Sequence, residues 1–467
     1  MAKENQINQA RVQVGHPVAV MASLMIGAFV GMFSETSLNI ALPSLMKALN
    51  VTQGTVQWLV TGYMLVISII MPLTSLLTKR FSTKGIVLFG LGAFIVGVVI
   101  AALGQSFGVV LFGRMIQGIG TGLVLPLMFA VSLQIFPLDR LGTVNGLAAL
   151  VIMFAPALGP TLTGGLLAKF SWPVIFWVLL PFLLVAFILA AMFMEDVFDR
   201  TAVPVDWWSI LASIIGFGGI VVGTSKASDA GWLSPVVLGA LVIGGLGLVG
   251  YAARQRHLTQ PILNLQVFRS RAFTQGTLLV MLDFGLILSA MYLLPLYLQN
   301  ALGLPVAVTG LIMLPGGIVN AITSVVSGRL YDNYGAKWLT RLGFLISFLG
   351  VIVLLNTGLN KPLGLVVLGQ VILGIGAPLA MSPAQTYGLN SLSGPLSADG
   401  SAILNTLQQV VGAVATAIAT SLLSAGSAQH SGVTGVALGA HAGFIFVLVM
   451  AILGFVVALG VKTPRKD

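Results

Sequence analysis

The chain alternates between long apolar stretches and short polar segments. Each apolar stretch is about 20 residues long, the length that a helix needs to cross a bilayer. Strands of a membrane barrel would alternate in segments of roughly ten residues, and no such alternation occurs. The first stretch follows a polar tail and is one of many, so we do not interpret it as a cleaved signal peptide. The pattern predicts fourteen membrane spans, at 17–42, 55–78, 85–105, 108–131, 142–166, 173–194, 207–225, 235–253, 273–298, 306–327, 339–357, 362–385, 401–424 and 441–462.

The charges of the polar segments predict the orientation of the chain. An even number of spans places both termini on one face of the membrane. Of the 22 Lys and Arg residues, Lys47, Lys169, Lys226 and Lys361 fall on the other face, Arg114 lies within a span, and the rest share the face of the termini. Lys and Arg accumulate in cytoplasmic loops. The distribution therefore predicts cytoplasmic termini, and it supports fourteen spans because one span more or fewer would scramble it.

Composition agrees with a protein of the cell membrane and narrows its function. The chain is 57% hydrophobic and 7% charged, with a mean hydropathy of +1.04. Because no soluble domain is long enough to exist, we interpret the net charge of +10 as a topology signal and expect no nucleic-acid partner. There is no Cys, the four His show no ligand spacing, and no nucleophile–base cluster or phosphate loop occurs. We expect neither a metal nor another cofactor, and no enzyme.

The two ends of the chain resemble each other, which indicates an internal duplication. The charged loops at 75–84 and 328–337 are 253 residues apart, and Pro43 and Pro295, taken as the ends of the first and ninth spans, are 252 apart. Parallel repeats of six spans with a central substrate site describe one transporter architecture. The predicted division is a tail at 1–16, a six-helix bundle at 17–194, a linker with two additional spans at 195–272, a six-helix bundle at 273–462 and a tail at 463–467.

Two of the twelve carboxylates lie within predicted spans, Glu35 in the first and Asp283 in the ninth. An ionisable group in hydrocarbon costs several kcal/mol and usually marks an ion or substrate path. Counted from Pro43 and Pro295, the two acids differ by about one helical turn, so we expect them to face the same central cavity. The alternative is that each acid is a hydrogen-bonding residue of helix packing.

Three motifs resemble the major facilitator superfamily, specifically its fourteen-helix drug/proton antiporter branch. Segment 35–43 (ETSLNIALP) is similar to the first-span signature of that branch, with Glu35 in place of the usual Asp. Segment 111–120 (LFGRMIQGIG) is similar to the fourth-span motif implicated in proton coupling. Segment 155–165 (APALGPTLTGG) is similar to the Gly-Pro motif of antiporters, with Thr163 where Gly is usual. The loop at 75–84 departs most from the family pattern, whereas its copy at 328–337 keeps Gly328, Asp332, Gly335 and Lys337 of that pattern.

The resemblance implies roles for individual residues. Proton coupling is expected of Glu35, Asp283 and Arg114. Substrate binding is expected of Glu35, Asp283, Met32, Thr36, Asn39, Trp58, Tyr63, Phe284 and Tyr292, with Asp283 setting the preference for charge. Gating and conformational change are expected of Gln117, Gly118, Pro156, Gly159, Pro160, Gly164, Arg80, Gly328, Asp332 and Gly335.

These expectations favour one function and leave others open. The favoured function is a monomeric antiporter that uses the proton gradient to export lipophilic, often cationic drugs or toxic compounds by alternating access. One alternative is an exporter or importer of a specific metabolite or lipid on the same fold, although the Gly-Pro motif at 155–165 favours export. A membrane-embedded enzyme or receptor is the alternative from another class, and no sequence feature supports it.

Overall fold

A computed structural model gives the structure of the protein and describes residues 12–461, apart from 137, 199–205, 259–260, 360–361, 393–394 and 431. Helices, and no strand, make up the regular structure of this described part. The long helices are α1 Pro17–Leu49, α2 Gln53–Arg80, α3 Thr83–Leu103, α4 Phe107–Ile135, α5 Leu138–Leu167, α6 Val174–Phe193, α7 Trp207–Ala230, α8 Pro235–His257, α9 Arg271–Leu296, α10 Val306–Tyr331, α11 Tyr334–Leu355, α12 Gly364–Asn390, α13 Pro395–Gln429 and α14 Val433–Leu459.

The helices match the predicted spans one for one. All of them except α5 are long and apolar enough, by length and composition, to cross a membrane over the described residues. Helix α5 has 30 residues and corresponds to the predicted span 142–166, but several of its side chains lie outside the described set. The prediction of an all-helical polytopic membrane protein is confirmed.

Hydroxyl side chains begin several of the helices. Thr52, Ser82 and Ser270 each accept a hydrogen bond from the backbone N–H three residues later, at 3.1 to 3.2 Å. Such caps satisfy one of the free N–H groups at a helix N-terminus. They allow α1 and α2, and likewise α2 and α3, to follow one another with very short connections.

Two prolines that were expected to end helices lie inside them instead. Helix α1 continues past Pro43 to Leu49, and α9 continues past Pro295 into a π-helical turn, Tyr297–Ala301. A membrane helix tolerates proline where neighbouring groups satisfy the freed backbone. Here the two helix ends also contact each other, because Gln299 donates from Nε2 to the Ile40 carbonyl at 3.2 Å. The expectation failed since apolar length marks a span, whereas a helix can extend beyond it.

Helices α10 and α11 follow each other directly and are separated by a kink. Gly335 interrupts the helical geometry with φ 67° and ψ 178°. Only glycine adopts that region without a steric penalty. The charged segment at 328–337 therefore includes the end of α10, the kink at Gly335 and the start of α11.

Helices of the first half of the chain pack against helices of the second half. Helix α5 packs against α1 and α10, and α2 packs against α13. We call the face at which the described chain begins and ends the terminal face. On the face opposite to it, Gly164 of α5 and Gly310 of α10 are in backbone contact. On the terminal face, Leu76 of α2 belongs to one apolar cluster with Ala402 and Ile403 of α13.

The helix pair α7–α8 is fastened by charge and hydrogen bonds near the terminal face. The Arg254 guanidinium donates to both carboxylate oxygens of Asp206, and these hydrogen bonds lower the pKa of Asp206 to about 2. Gln255 donates to Ser209 and accepts from the backbone N–H of Ile262, at 2.7 Å in both cases. Helix α7 also packs against α2 and α13, so the pair lies beside the contact between those two helices.

Candidate transport cavity

A cavity of about 110 Å³ lies between α1 and α5 on one side and α9, α10, α12 and α13 on the other. Most of its wall is apolar and comes from α9, α10 and α12, and four methionines contribute to it. The described lining residues are Met32, Glu35, Thr36, Pro156, Pro160, Phe284, Leu286, Ile287, Leu288, Ala290, Met291, Leu294, Met313, Gly316, Gly317, Asn320, Gln370, Leu373, Gly374, Ala377, Pro378, Met381 and Gln408. Unbranched thioethers give soft, adaptable walls that suit varied ligands.

Glu35 is the charged residue among the described lining residues of this cavity. Its side chain is 1% exposed. Gln409 of α13 lies beside the carboxyl group, but neither Glu35 oxygen makes a hydrogen bond of normal geometry. A charged carboxylate without partners is costly in apolar surroundings unless a cation or a proton reaches it. The position therefore suits a group that exchanges a proton for a cationic ligand.

Arg114 lies next to this acid in a fully buried polar network. Its guanidinium donates to the Leu59 carbonyl at 3.0 Å, to Ser34 Oγ at 2.6 Å and to Gln117 Oε1 at 2.8 Å. The guanidinium also lies 4.1 Å from the centre of the Tyr63 ring, a cation–π contact. The charge of Arg114 thus holds α1, α2 and α4 together. Ser34, the residue directly before Glu35, is part of this network.

Tyr63 and the small residues around it complete the network. The Tyr63 hydroxyl donates to the Gly31 carbonyl at 2.9 Å and accepts from Thr121 at 2.6 Å. A side chain at Gly31 would collide with Thr121, and one at Gly118 would lie 2.8 Å from the Tyr63 carbonyl oxygen. Close backbone approach of α1 and α2 to α4 is therefore required for these hydrogen bonds.

Several residues predicted to bind substrate do line the cavity, and others do not. Met32, Glu35, Thr36 and Phe284 line it, as do Pro156 and Pro160. Tyr63 is occupied by the Arg114 network. The other predicted residues are absent from the described wall: Asn39, Trp58, Asp283 and Tyr292.

Asp283 is fully buried, and neither of its carboxylate oxygens has a hydrogen-bond partner. It lies seven residues after Gly276, so the two share one side of α9 to within about 20°. At Gly276 that side faces α12, since a Cβ there would lie 2.6 Å from the Ala384 carbonyl oxygen, and further along the same side Ile287 and Ala290 line the cavity. The next residue, Phe284, is turned by about 100° and lines the cavity. Glu35 therefore lines this cavity, Asp283 is not among its described lining residues, and the expectation that both acids face one cavity stays a prediction.

The predicted gating residues of α5 form close contacts with two helices. A Cβ on Gly159 would lie 2.5 Å from Thr36 Oγ1 in α1, and one on Gly164 would lie 3.0 Å from the Val306 carbonyl oxygen in α10. Thr161 adds a hydrogen bond to the Gly310 carbonyl at 3.3 Å. Helix α5 is thus packed tightly against α1 and α10, and its prolines Pro156 and Pro160 line the cavity.

The remaining predicted gating residues lie away from the cavity. Arg80 is exposed at the end of α2, Gly328 has open space around it, and Gly335 forms the turn between α10 and α11. The side chain of Asp332 lies outside the described set. The role of these loops as a gate stays a prediction.

The cavity also contains polar residues that the sequence reasoning missed. Asn320, Gln370 and Gln408 supply carboxamides from α10, α12 and α13. An uncharged amide in an apolar span costs far less than a carboxylate, so it gives no comparable signal in the sequence. The duplication is a signal that could have found them, because it predicts a site between the two halves. Helices α9, α10 and α12 of the second half supply most of the wall.

The Major Facilitator Superfamily model matches residues 24–416. The chain belongs to this superfamily. It is 42% identical over 463 residues to the lincomycin resistance protein LmrB of Bacillus subtilis (strain 168), covering 96% of each chain. It is 41% identical to the protein of the same name from Listeria monocytogenes, covering 96% of this chain and 98% of the relative.

Solved structures of the superfamily share the fold. The partially occluded, inward-open xylose transporter XylE from E. coli aligns with a TM-score of 0.65 at 15% identity, covering 97% of this chain and 99% of that one. A peptide transporter of the POT family aligns with a TM-score of 0.69 at 17% identity, covering 97% and 98%. This major facilitator protein is therefore a multi-pass transporter of the cell membrane and not an enzyme, as the sequence predicted.

Proposed function

We propose that this major facilitator protein is a proton-coupled antiporter that exports lipophilic, often cationic drugs or toxic compounds. The observation that carries the proposal is Glu35. It is the charged group in the described wall of an otherwise mostly apolar cavity, and neither of its oxygens makes a hydrogen bond of normal geometry. Such a group binds either a proton or a cationic substrate, and this competition couples the two fluxes.

The relatives support drugs as the substrate class. Two proteins that match over nearly the full length are named for lincomycin resistance, at 41 to 42% identity. The cavity agrees with such a role, because its wall combines methionines, one aromatic ring and a few carboxamides. Apolar walls of this kind bind by burial of surface and discriminate weakly among shapes.

In the proposed cycle, Glu35 is the group at which substrate and proton replace each other. With the cavity open to the cytoplasm, a cationic substrate binds beside the charged carboxylate. With the cavity open to the outside, a proton neutralises the carboxylate and the substrate leaves. Arg114 acts through Ser34, whose Oγ accepts from the guanidinium at 2.6 Å. A change of charge at Glu35 thus lies one residue away from the network that joins α1, α2 and α4.

Asp283 fits the role of a second proton-coupling residue better than that of a substrate ligand. It is buried without a hydrogen-bond partner and is not among the described residues of the cavity wall. We therefore assign substrate charge to Glu35 and reserve Asp283 for a proton.

The alternating movement is proposed to occur between the units 17–194 and 273–462 of a monomer with cytoplasmic termini. The contact between Gly164 and Gly310 would then close the outer face, with Gln117, Gly118, Gly159 and the prolines of α5 adjusting around it. The proton gradient would drive the cycle without a cofactor.

Transport by purified protein in liposomes tests this function. A cationic lipophilic dye should be moved against its gradient when a pH gradient is imposed, and Glu35→Gln should abolish that movement. Glu35→Asp keeps the carboxylate and should retain part of the activity, so it is the matched control. Full proton-driven activity of Glu35→Gln would refute the proposed role of the acid. Transport of sugars or peptides but of no lipophilic compound would favour a specific metabolite carrier instead.

A further inference from the structure

In two helices of the cavity wall, a lining residue is followed four residues later by a proline that also lines the cavity. Proline has no backbone N–H, so the carbonyl four residues before it loses its helical hydrogen bond. In α5, Pro160 frees the carbonyl of Pro156, and in α12, Pro378 frees the carbonyl of Gly374. All four residues line the cavity. Each freed carbonyl therefore belongs to a residue of the cavity wall.

A third proline shows what such a carbonyl looks like when it is satisfied. Pro126 of α4 lies 252 residues before Pro378, the offset that also separates Pro43 from Pro295. It frees the carbonyl of Gly122, and Thr74 Oγ1 of α2 donates to that oxygen at 3.2 Å. Neither Pro126 nor Gly122 is part of the described cavity wall.

In the second half, the hydroxyl that corresponds to Thr74 donates to a different carbonyl. Thr74 corresponds to Ser327 when the 253-residue offset of the charged loops is applied. Ser327 Oγ donates to the carbonyl of Pro378 itself, at 3.0 Å. Among the described residues, no side-chain donor contacts the Gly374 carbonyl. A side chain therefore satisfies this acceptor in α4, and no described side chain does so in α12.

Other polar atoms of the wall are acceptors as well. The Oε1 atom of Gln370 is buried without a partner, while its Nε2 donates to the Met313 carbonyl at 3.3 Å. Glu35 adds two further acceptor oxygens. Phe284 is the aromatic residue of the described wall. Quaternary ammonium ions, which have no N–H, are instead bound by cages of several aromatic rings.

We infer that the cavity selects cations that carry an N–H group, protonated amines, over quaternary ammonium ions of the same shape. The inference rests on the proposed function and narrows its substrate class. A protonated amine can donate to Glu35 or to a freed carbonyl, and hydrogen bonds to charged groups are the stronger ones. A quaternary ion gains the charge attraction alone, because it has no N–H to donate to any of these acceptors.

A matched pair of ligands tests this selectivity. The probes are 4-phenylbutyl-dimethylamine, which is protonated at pH 7, and 4-phenylbutyl-trimethylammonium, which differs by one methyl group. Binding of each to the full protein in nanodiscs is measured by calorimetry at pH 7. The amine should bind about tenfold more tightly, the equivalent of one charge-assisted hydrogen bond. Equal or tighter binding of the quaternary ion would overturn the inference while leaving export of cations intact, whereas binding of neither would overturn both proposals.

Substitution of the prolines locates the effect. Pro378→Ala restores an N–H for the Gly374 carbonyl without changing any charge, so the preference for the amine should fall. Pro126→Ala is the matched control and should keep the wild-type preference, because its carbonyl is already bonded and lies outside the cavity. If Pro378→Ala does not fold, Gln370→Met removes another acceptor and should lower the preference in the same direction. An unchanged preference in the folded variant would refute the assignment to these acceptors.

Discussion

The contact between Gly164 of α5 and Gly310 of α10 leaves almost no room for a side chain, which makes a direct test of the gate possible. A methyl group at residue 164 would lie 3.0 Å from the Val306 carbonyl oxygen and 3.1 Å from the Gly310 Cα. Ordinary contacts of that kind are 3.4 to 4 Å long, so the helices must separate by a few tenths of an ångström. Backbone cannot rotate away as a side chain can. Gly164→Ala should therefore weaken this contact.

The size of the effect follows from the cost of overpacking. Inserting one methyl group into a tight contact costs about 1–3 kcal/mol. If that cost applies only while α5 and α10 touch, the population with the outer face closed falls by roughly 5- to 150-fold. Gly165→Ala is the matched control, because a Cβ there has nothing within 4 Å.

Labelling of a single cysteine measures the population. The chain has no native Cys, so Met313→Cys places one thiol in the cavity wall without further changes. A membrane-impermeant maleimide is added from the face opposite the termini. Gly164→Ala should accelerate labelling at least about fivefold, the lower limit of that estimate, and Gly165→Ala should leave the rate unchanged. Equal rates in both variants would show that this glycine contact does not control access.

Three further predictions concern the ionisable residues. Arg114→Lys keeps the charge but loses the planar fork, and with it at least one hydrogen bond worth about 1.5–3 kcal/mol; liposome assays should show strongly impaired proton-driven transport at near-normal expression, and normal transport would make the residue structural at most. Asp283→Asn should reduce export of a cationic and of a neutral compound equally at one fixed pH gradient, since Asp283 is not among the described residues of the cavity wall. If export of the cationic compound alone were lost, Asp283 would instead be a substrate-binding residue. Asp206→Asn removes the partner of Arg254. Because that pairing depresses the pKa of Asp206 to about 2, its stabilising effect is present above the ordinary Asp value and is lost as pH falls from about 4 to about 2. The difference in melting temperature between wild type and Asp206→Asn should vanish over that range, and a constant difference would argue against the ion pair.

The spans and the two most informative side chains could be predicted from sequence because their signals are energetic. Twenty apolar residues in succession have few alternatives to a membrane helix. A carboxylate or guanidinium among them needs a partner or a cavity, and this requirement singles out Glu35 and Arg114 in the sequence. The structure provides both: a cavity for Glu35, and three hydrogen bonds for Arg114.

The position of Asp283 could not be predicted in the same way. Counting residues from Pro295 gives depth along α9, but the rotation of the helix about its axis is set by its neighbours. Gly276 brings the first turns of α9 against α12, and Asp283 lies between that contact and the lining residues that begin at Phe284. Contacts between distant helices are not visible in a single sequence, so a register within one helix cannot decide which face is wet.

The polar side chains around Arg114 and those around the cavity belong to different parts of the molecule, which bears on how the two fluxes are linked. The hydrogen bonds of Arg114 join α1, α2 and α4 and include no residue of the second half. Most of the cavity wall, by contrast, comes from α9, α10 and α12. Glu35 lies on α1, next to Ser34 in sequence, and faces that wall. A substrate held largely by the second half can therefore act on the Arg114 network most directly through Glu35.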